Sequence, residues 1–564
     1  MTAEYTGADL FVDALERYGV EHVFGNPGTT ELPVLEALGD ADLEYVLGLH
    51  EDVAVGMAAG YAQTRRYHSH HDDTAHPLGV VNLHITPGLA HGIGNVYAAS
   101  FTGAPLIVTA GNHERDFRHE EPILHGDLER LVEQFTKWSD EVLDVSALPT
   151  MLRRAARVAL TPPTGPVFLA LPADVMQSPT DPDAIEPLGP IPNAGSGDPD
   201  QIDRAADLLA GADEPVMVLG DEVARSAGGV EGAVSLAEAA GTRVHAEMLA
   251  CEVNFPTRHE QWVSHIPPRE DIARLLVDGD VVVFVGTSTH TTLLPHENEL
   301  LDPDTTVIHL GPDAWEVGKN HSVDAAVVGD PGLVMDRLAD RLEDWIETEE
   351  RDRRIQRVRT ITESLEPTME SMSVDERPAG DPRVGKHELV DALSSVAGDA
   401  YIVDEGVTAK YSLLLRYEMG PEQFISNKGG GLGYGLSASV GAALAESLQD
   451  EPRAVLGYVG DGSYLYYPHA IYSATRLGLD LTVVVADNRN YRILKDNSLQ
   501  LFGGEESDRN FVGMDFEPPV DLVKNAESHG ANGTRVETPA DLEATLQRAI
   551  DRDGVDVVDV LVYD

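Results

Sequence analysis

At 564 residues, 42% of them hydrophobic and 24% charged, the chain has material for about three or four domains of ordinary size and several separate cores. Its 96 acidic residues against 40 basic ones give a formal charge of −56, which excludes nucleic acid and anionic membranes as partners on electrostatic grounds. The same self-repulsion disfavours compact folding at low ionic strength and points to a high-salt cytoplasm, where a Debye length of about 3 Å at 1 M screens it; a mesophilic acidic protein is the alternative.

Cys251 is the only cysteine, so no intrachain disulfide forms. Residues 1–5 lack the basic region and apolar run of a secretion signal, and no apolar segment is long enough to span a bilayer. A soluble, cytoplasmic protein is expected.

Near the amino terminus, Phe24-Gly25-Asn26-Pro27-Gly28-Thr29-Thr30-Glu31-Leu32-Pro33 precedes a strand-like run at 45–49. Glu51 follows and opens a helix-forming run over 52–63, which places its carboxylate at a strand's carboxyl end; taken alone it reads more readily as a first-turn acid favoured by the helix dipole. Four histidines and two aspartates crowd residues 68–76, His68-Ser69-His70-His71-Asp72-Asp73-Thr74-Ala75-His76. That composition suits a transition metal, but a solvated loop before the strand at Val80 is the expected reading. Residues 80–111 then run strand, glycine turn, alanine-rich helix, strand, with Asn82-Leu83-His84 at the first turn.

Residues 177–201, rich in Pro, Asp and Gly, read as a linker. Strands are expected at 215–219, 281–285 and 306–310, alternating with helices, and Phe255-Pro256-Thr257-Arg258-His259 lies among them. A second linker at 347–385 passes from a charged helical pattern into a Pro-Gly segment. The expected domains are 1–180, 195–350 and 375–564, each α/β with a doubly wound parallel sheet.

In the last domain Gly430-Gly431-Leu432-Gly433 leads into a strand at 454–459, the turn Gly460-Asp461-Gly462-Ser463, a helical pattern over 464–477, a β-branched strand at 481–486 and the loop Asp487-Asn488-Arg489-Asn490-Tyr491. A right-handed crossover brings Asp461 and Asn488 to one sheet edge, within reach of one ion. One carboxylate and one amide suit Mg²⁺, which completes its shell with phosphate oxygens, and the N–H groups of Gly462 and Ser463 open a helix where a phosphate is favoured. The combination points to a metal-bound diphosphate cofactor.

Gly460-Asp461-Gly462 followed at this interval by Asn488 and Asn490 resembles the motif of the thiamine diphosphate-dependent enzymes. The resemblance implies Mg²⁺ ligation by the side chains of Asp461 and Asn488 and by the carbonyl of Asn490; Asp487 stands where the family has a first Asn. It further implies that Glu51 hydrogen-bonds the aminopyrimidine of thiamine diphosphate and promotes its activation. Leu432 would wedge the cofactor into a bent shape, with Gly462, Ser463 and Tyr491 as further contacts. Together with the segments around Gly28, His84, His259 and Leu432, the chain is similar to the benzoylformate decarboxylases within that family. This implies proton transfer by His84 and His259 and substrate binding by Thr29, where those enzymes have Ser. Ile493 and Asn497 replace an alanine and a phenylalanine of their substrate pocket, so aliphatic substrates are expected to gain over benzoylformate.

The implied activity is nonoxidative decarboxylation of a 2-oxo acid to an aldehyde and CO₂. The alternative is an acetolactate synthase-like carboligase; the two histidines favour the lyase, and the central domain gives no clear sign of FAD-contacting segments. A noncatalytic cofactor-binding protein is disfavoured by Glu51 occurring with the metal motif. The family implies a homodimer at minimum and usually a homotetramer, the cofactor lying between the first domain of one subunit and the third of another.

Overall fold

Three six-stranded sheets organise the chain. The structure is a computed structural model that describes residues 4–287, 295–372 and 377–564. The first sheet holds β1 (His22–Gly25), β2 (Glu44–Leu47), β3 (Gly79–Leu83), β4 (Leu106–Asn112), β5 (Ser139–Glu141) and β6 (Val167–Pro172), in the order β2-β1-β3-β4-β6-β5. The second holds β7 (Pro215–Leu219), β8 (Arg243–Ala246), β9 (Trp262–His265), β10 (Val281–Val285), β11 (Thr306–Gly311) and β12 (Ala325–Val328), in the order β12-β11-β10-β7-β8-β9. The third holds β13 (Tyr401–Glu405), β14 (Phe424–Ser426), β15 (Val455–Gly460), β16 (Leu481–Asp487), β17 (Asn532–Val536) and β18 (Val555–Leu561), in the order β14-β13-β15-β16-β18-β17. The ladders run parallel, as the expected doubly wound α/β class requires. Strands such as β4, β6, β10 and β16 are buried along their whole length because helices cover both faces, which is why they read as continuous apolar runs.

The chain divides into two compact units. One comprises Met1–Ile191, Asp375–Leu413 and Gly429–Asp564 and carries the bulk of the first and third sheets; the other comprises Pro192–Val374 and Leu414–Lys428. In the second unit Met217, Val283 and Ile308 pack with Leu209, Leu236 and Leu338. The start of the expected third domain at 375, and residues 1–3 of the amino-terminal reading, lie outside the described residues. The expected linker at 177–201 is overrun at its end by a helix, Pro199–Ala210, which Asp198 caps by accepting from the N–H groups of Asp200 and Gln201.

Within the first unit the helix Glu51–Ser69 crosses the helix Tyr434–Glu446 with almost no side chain between them. A methyl group added at Gly60 would overlap the Ala438 carbonyl, one at Gly441 would overlap that of Met57, and one at Gly56 would lie 2.6 Å from the Ser437 Cβ. Glycine is required here by close approach of two backbones.

Three expectations need correction. The run at 52–63 is part of a longer helix, Glu51–Ser69, because its last turn gains a tertiary partner. His68 therefore belongs to the helix and is buried, while the loop begins beyond Ser69. Its Nε2–H donates to Glu446 Oε1 at 2.9 Å and its Nδ1 accepts from Gln449 at 3.1 Å, which offsets the cost of burying the ring. The helical pattern over 464–477 is broken into Asp461–Tyr464 and Ala470–Leu477, since Pro468 carries no N–H and disfavours helix in the residue before it. Among the described residues no helix is long and apolar enough to cross a membrane.

Glu446 also binds Arg453. Burial raises its carboxyl, but the hydrogen bonds from His68 and Arg453 outweigh that and hold it at about 2. An acid depressed on folding adds stability that is complete above the ordinary carboxyl range and is lost as pH falls through it toward the folded value. Glu446→Gln is expected to lose on the order of 3 kcal/mol at pH 7. Denaturant midpoints for both proteins at pH 7 and pH 3 check this: the gap between them should shrink in acid, and a constant gap would refute it.

Candidate active site

Register brings two carboxylates together at one sheet edge. Gly460 of β15 pairs with Ala486 of β16, so the next residues, Asp461 and Asp487, come out side by side at the carboxyl edge. Asp461 is buried, and burial together with the neighbouring Asp487 carboxylate pushes it up to about 8. The loop beyond β16 turns sharply at Arg489, whose φ is +60°, and Arg489 N–H donates to Asp487 Oδ1. Tyr491 N–H and Phe516 N–H tie the loop to its neighbours by bonds to Met514 O and Arg489 O.

A cavity at this edge is lined by Leu432, Asp461, Gly462, Ser463, Asn488, Asn490, Tyr491 and Ile493, so eight of the sequence-derived site residues come together. Asn497, one turn beyond Ile493 on the helix Arg492–Phe502, is not among the lining residues. Two buried oxygens here, Asp461 Oδ2 and Asn490 Oδ1, lack a hydrogen-bond partner. Unpaired buried acceptors beside adjacent carboxylates fit a hard cation, which supplies the missing positive charge to each. Gly462 fits a close-approaching ligand, since a Cβ there would come within 2.7 Å of the Tyr491 ring.

Leu432 is held from behind. Glu405, at the end of β13, accepts from the N–H groups of Gly433 and Gly435, both at 3.0 Å, and its backbone carbonyl accepts from Ser463 Oγ at 3.2 Å. Burial pushes the Glu405 carboxyl up to about 8 despite those donors. Gly433 sits at φ +95° against Tyr467, a conformation and a space that leave no room for a side chain.

The first sheet presents a second group of residues. Glu51 is the first residue of its helix, outside the lining of the cavity just described, with its carboxylate 3.3 Å from His91 Nδ1. A Cβ at Gly88 would lie 3.2 Å from Glu51 Oε1, so the helix Ile85–Thr102 approaches the acid closely. The next residue, Asp52, accepts from Asn95 N–H and from the Tyr467 hydroxyl, both at 2.7 Å. These bonds fix the helix start that carries Glu51.

His84 stands at the N-cap position of the helix that begins at Ile85 without capping it, and its Nδ1–H donates instead to Glu31 Oε2 at 2.8 Å. Glu31 is fully buried, and its Oε1 accepts from Thr30 Oγ1, Gly111 N–H and Ile85 N–H. Ile85 adopts φ +34°, unusual for a β-branched residue, at the point where its N–H reaches Glu31. Side chains at Gly28 and Gly111 would collide with His84 and Glu31 respectively. Thr29 lies exposed on the same loop.

His259 belongs to the other unit. Its ring lies edge-on to Phe255, its Nε2 is 3.3 Å from Glu238 and its Nδ1 accepts from Gln261 N–H. Sequence reading missed Glu31, His91, Glu405, Lys386 and Asp564 around these sites. Glu31 lay within a segment already singled out, and an acid two residues from Thr29 was a usable signal.

Three family models match: the thiamine pyrophosphate enzyme N-terminal TPP binding domain over residues 5–139, the central domain over 202–338 and the C-terminal TPP binding domain over 406–560. The chain is 29% identical to a benzoylformate decarboxylase of Pseudomonas aeruginosa, covering 97% of each protein. It is 27% identical to a probable acetolactate synthase large subunit of Methanocaldococcus jannaschii, covering 99% of this chain and 92% of that one. Among solved structures it is similar to a thiamine diphosphate-dependent 4-hydroxybenzoylformate decarboxylase of Rhodococcus jostii RHA1, with a TM-score of 0.85, 26% identity and 99% of both chains covered. The three matched domains, in family order on three parallel sheets, show that the chain belongs to the thiamine pyrophosphate enzymes.

Proposed function

We propose that the chain is a thiamine diphosphate- and Mg²⁺-dependent decarboxylase that converts a 2-oxo acid to an aldehyde and CO₂. The observation that carries this reading is His84 held through Nδ1 by the buried Glu31. With Nδ1 committed, Nε2 is the nitrogen left to carry a proton to substrate, and the fixed carboxylate orients the ring for it. Release of an aldehyde requires one proton at the carbon that has lost CO₂; carboligation requires a second carbonyl compound there instead. The relatives that are acetolactate synthases keep that second reading open.

When bound, thiamine diphosphate supplies a carbon nucleophile for the 2-oxo carbonyl and an electron sink for the departing CO₂. Asp461, Asn488 and Asn490 would hold Mg²⁺, and Ser463 N–H would take a diphosphate oxygen at the start of its helix beside Gly462, whose own N–H donates to Asp461 Oδ1 at 2.9 Å and would have to be shared. Leu432 and Tyr491 would pack on the cofactor, while Glu51 would exchange a proton with its aminopyrimidine. His84 and His259 would serve the substrate's proton steps, and Thr29 would bind the substrate. The active unit would be at least a homodimer.

The deciding experiment supplies thiamine diphosphate, Mg²⁺ and a panel of 2-oxo acids in molar salt, as the charge of −56 recommends, and measures CO₂ with product analysis. Aldehyde is expected; acyloin or acetolactate as the main product would replace this reading by the carboligase. Asp461→Ala should abolish Mg²⁺-dependent retention of thiamine diphosphate in equilibrium dialysis, and unchanged retention would remove Asp461 from the metal site. Ile493 lines the cavity, so Ile493→Ala should raise kcat/KM for large relative to short 2-oxo acids by roughly tenfold, within the about 1–3 kcal/mol that one methylene is worth in a pocket. An unchanged ratio would show that Ile493 does not face the substrate.

A further inference from the structure

Behind Asn488 and Asn490 stands a carboxylate that motif reasoning does not assign. Asp564 follows β18, and its side chain is 16% exposed. Its Oδ1 accepts from Asn488 Nδ2 at 2.9 Å and its Oδ2 from Asn490 Nδ2 at 2.8 Å. Lys386 Nζ lies 3.2 Å from Oδ1, Lys386 is itself buried, and it also lines the cavity. The bridge between Val384 and Val562 brings the two segments together.

An asparagine side chain can present a cation with either an oxygen or an NH₂ group, and only the oxygen binds. One carboxylate that accepts from both NH₂ groups turns both amides the same way, and Asn490 N–H, donating to Asn488 Oδ1 at 3.2 Å, leaves that oxygen one lone pair for a cation. The consequence is visible at Asn490, whose Oδ1 is buried and unpaired while its Nδ2 is doubly engaged by Asp564 and by Asn488 O. Asp564 thereby adds a fixed negative charge beside a cluster that is already acidic, and Lys386 matches that charge. We infer that Asp564, backed by Lys386, is a positioning residue that holds the Asn488 side chain with its oxygen toward the cation and pins Asn490, whose carbonyl is the expected ligand, in the same loop. This inference rests on the proposal that the cavity binds Mg²⁺ with thiamine diphosphate.

The variants Asp564→Ala, Asp564→Asn and Lys386→Met test it, with Mg²⁺ and, separately, Ca²⁺ titrated into full-length protein at fixed thiamine diphosphate. Binding is read by tryptophan fluorescence and isothermal titration calorimetry, without substrate. Asp564→Ala should weaken Mg²⁺ at least tenfold and weaken Ca²⁺ less, because Mg²⁺ demands near-octahedral ligands whereas Ca²⁺ accepts irregular ones. Asp564→Asn keeps the shape but can accept from only one of the two amides, so it should lie between; it carries the test if Asp564→Ala fails to fold. Lys386→Met should weaken both ions less than Asp564→Ala does. Wild-type Mg²⁺ affinity and an unchanged Mg²⁺ to Ca²⁺ ratio in both Asp564 variants would overturn the inference while leaving the proposed function standing. A wild type that binds no cofactor with Mg²⁺ would overturn both.

Discussion

Carboxylates gather on one edge of the third sheet, and the parallel register gives them no way apart. Asp461 and Asp487 leave neighbouring strands together, Asp559 sits on the strand beside Asp487, and Asp564 comes three residues past the end of that strand. Two like charges about 4 Å apart repel by roughly 4 kcal/mol at an effective dielectric of 20, so each must be answered locally. Arg535 answers Asp559 at 2.7 Å and Lys386 answers Asp564. Asp559, raised to about 6 by burial and by Asp487, shows how incomplete that answer is. Arg489 lies 3.9 Å from Asp487, while Asp461 keeps one buried oxygen without a hydrogen-bond partner, so the answer is least complete at Asp461.

The first sheet handles a buried carboxylate in the opposite way. Glu31 has no arginine or lysine partner among its hydrogen bonds; two backbone N–H groups, a hydroxyl and an imidazole satisfy it. Neutral donors hold a charge without cancelling it, so the negative end remains available to the ring of His84. The strained backbone at Ile85 supplies one of these donors, which ties a local conformational cost to the orientation of a single histidine. At Asp52, a backbone donor and a hydroxyl do the same for the turn that begins with Glu51.

The sequence made the strand ends legible because short apolar runs must be strands when helices cover both faces, and a polar residue just past such a run must lie at the sheet's edge. Asp461, Asn488 and Glu51 were found that way. Ile493 was placed by family position, and the cavity includes it. Glu405 and Asp564 were invisible for the converse reason: their partners come from the separate segments around 386, 433 and 488, and local pattern says nothing about such meetings. His68 looked like the first residue of a polar loop because its composition matched its neighbours, yet one partner 378 residues away makes it part of the core. Asn497 was placed by family position, and the turn of helix that separates it from Ile493 carries it out of the cavity lining.

The crossing of Glu51–Ser69 and Tyr434–Glu446 is made of main chain touching main chain at Gly60 and Gly441, with Gly56 against the small side chain of Ser437. A contact between side chains has a thickness that changes whenever a residue changes size; a contact between backbones has one thickness for every sequence. The helix that begins at Glu51 and the helix that follows Leu432 are therefore spaced by a ruler that substitutions elsewhere in the core cannot stretch. Divergence can resize much of the hydrophobic interior while the relative placement of an acid and a leucine, far apart in the chain, stays as it was.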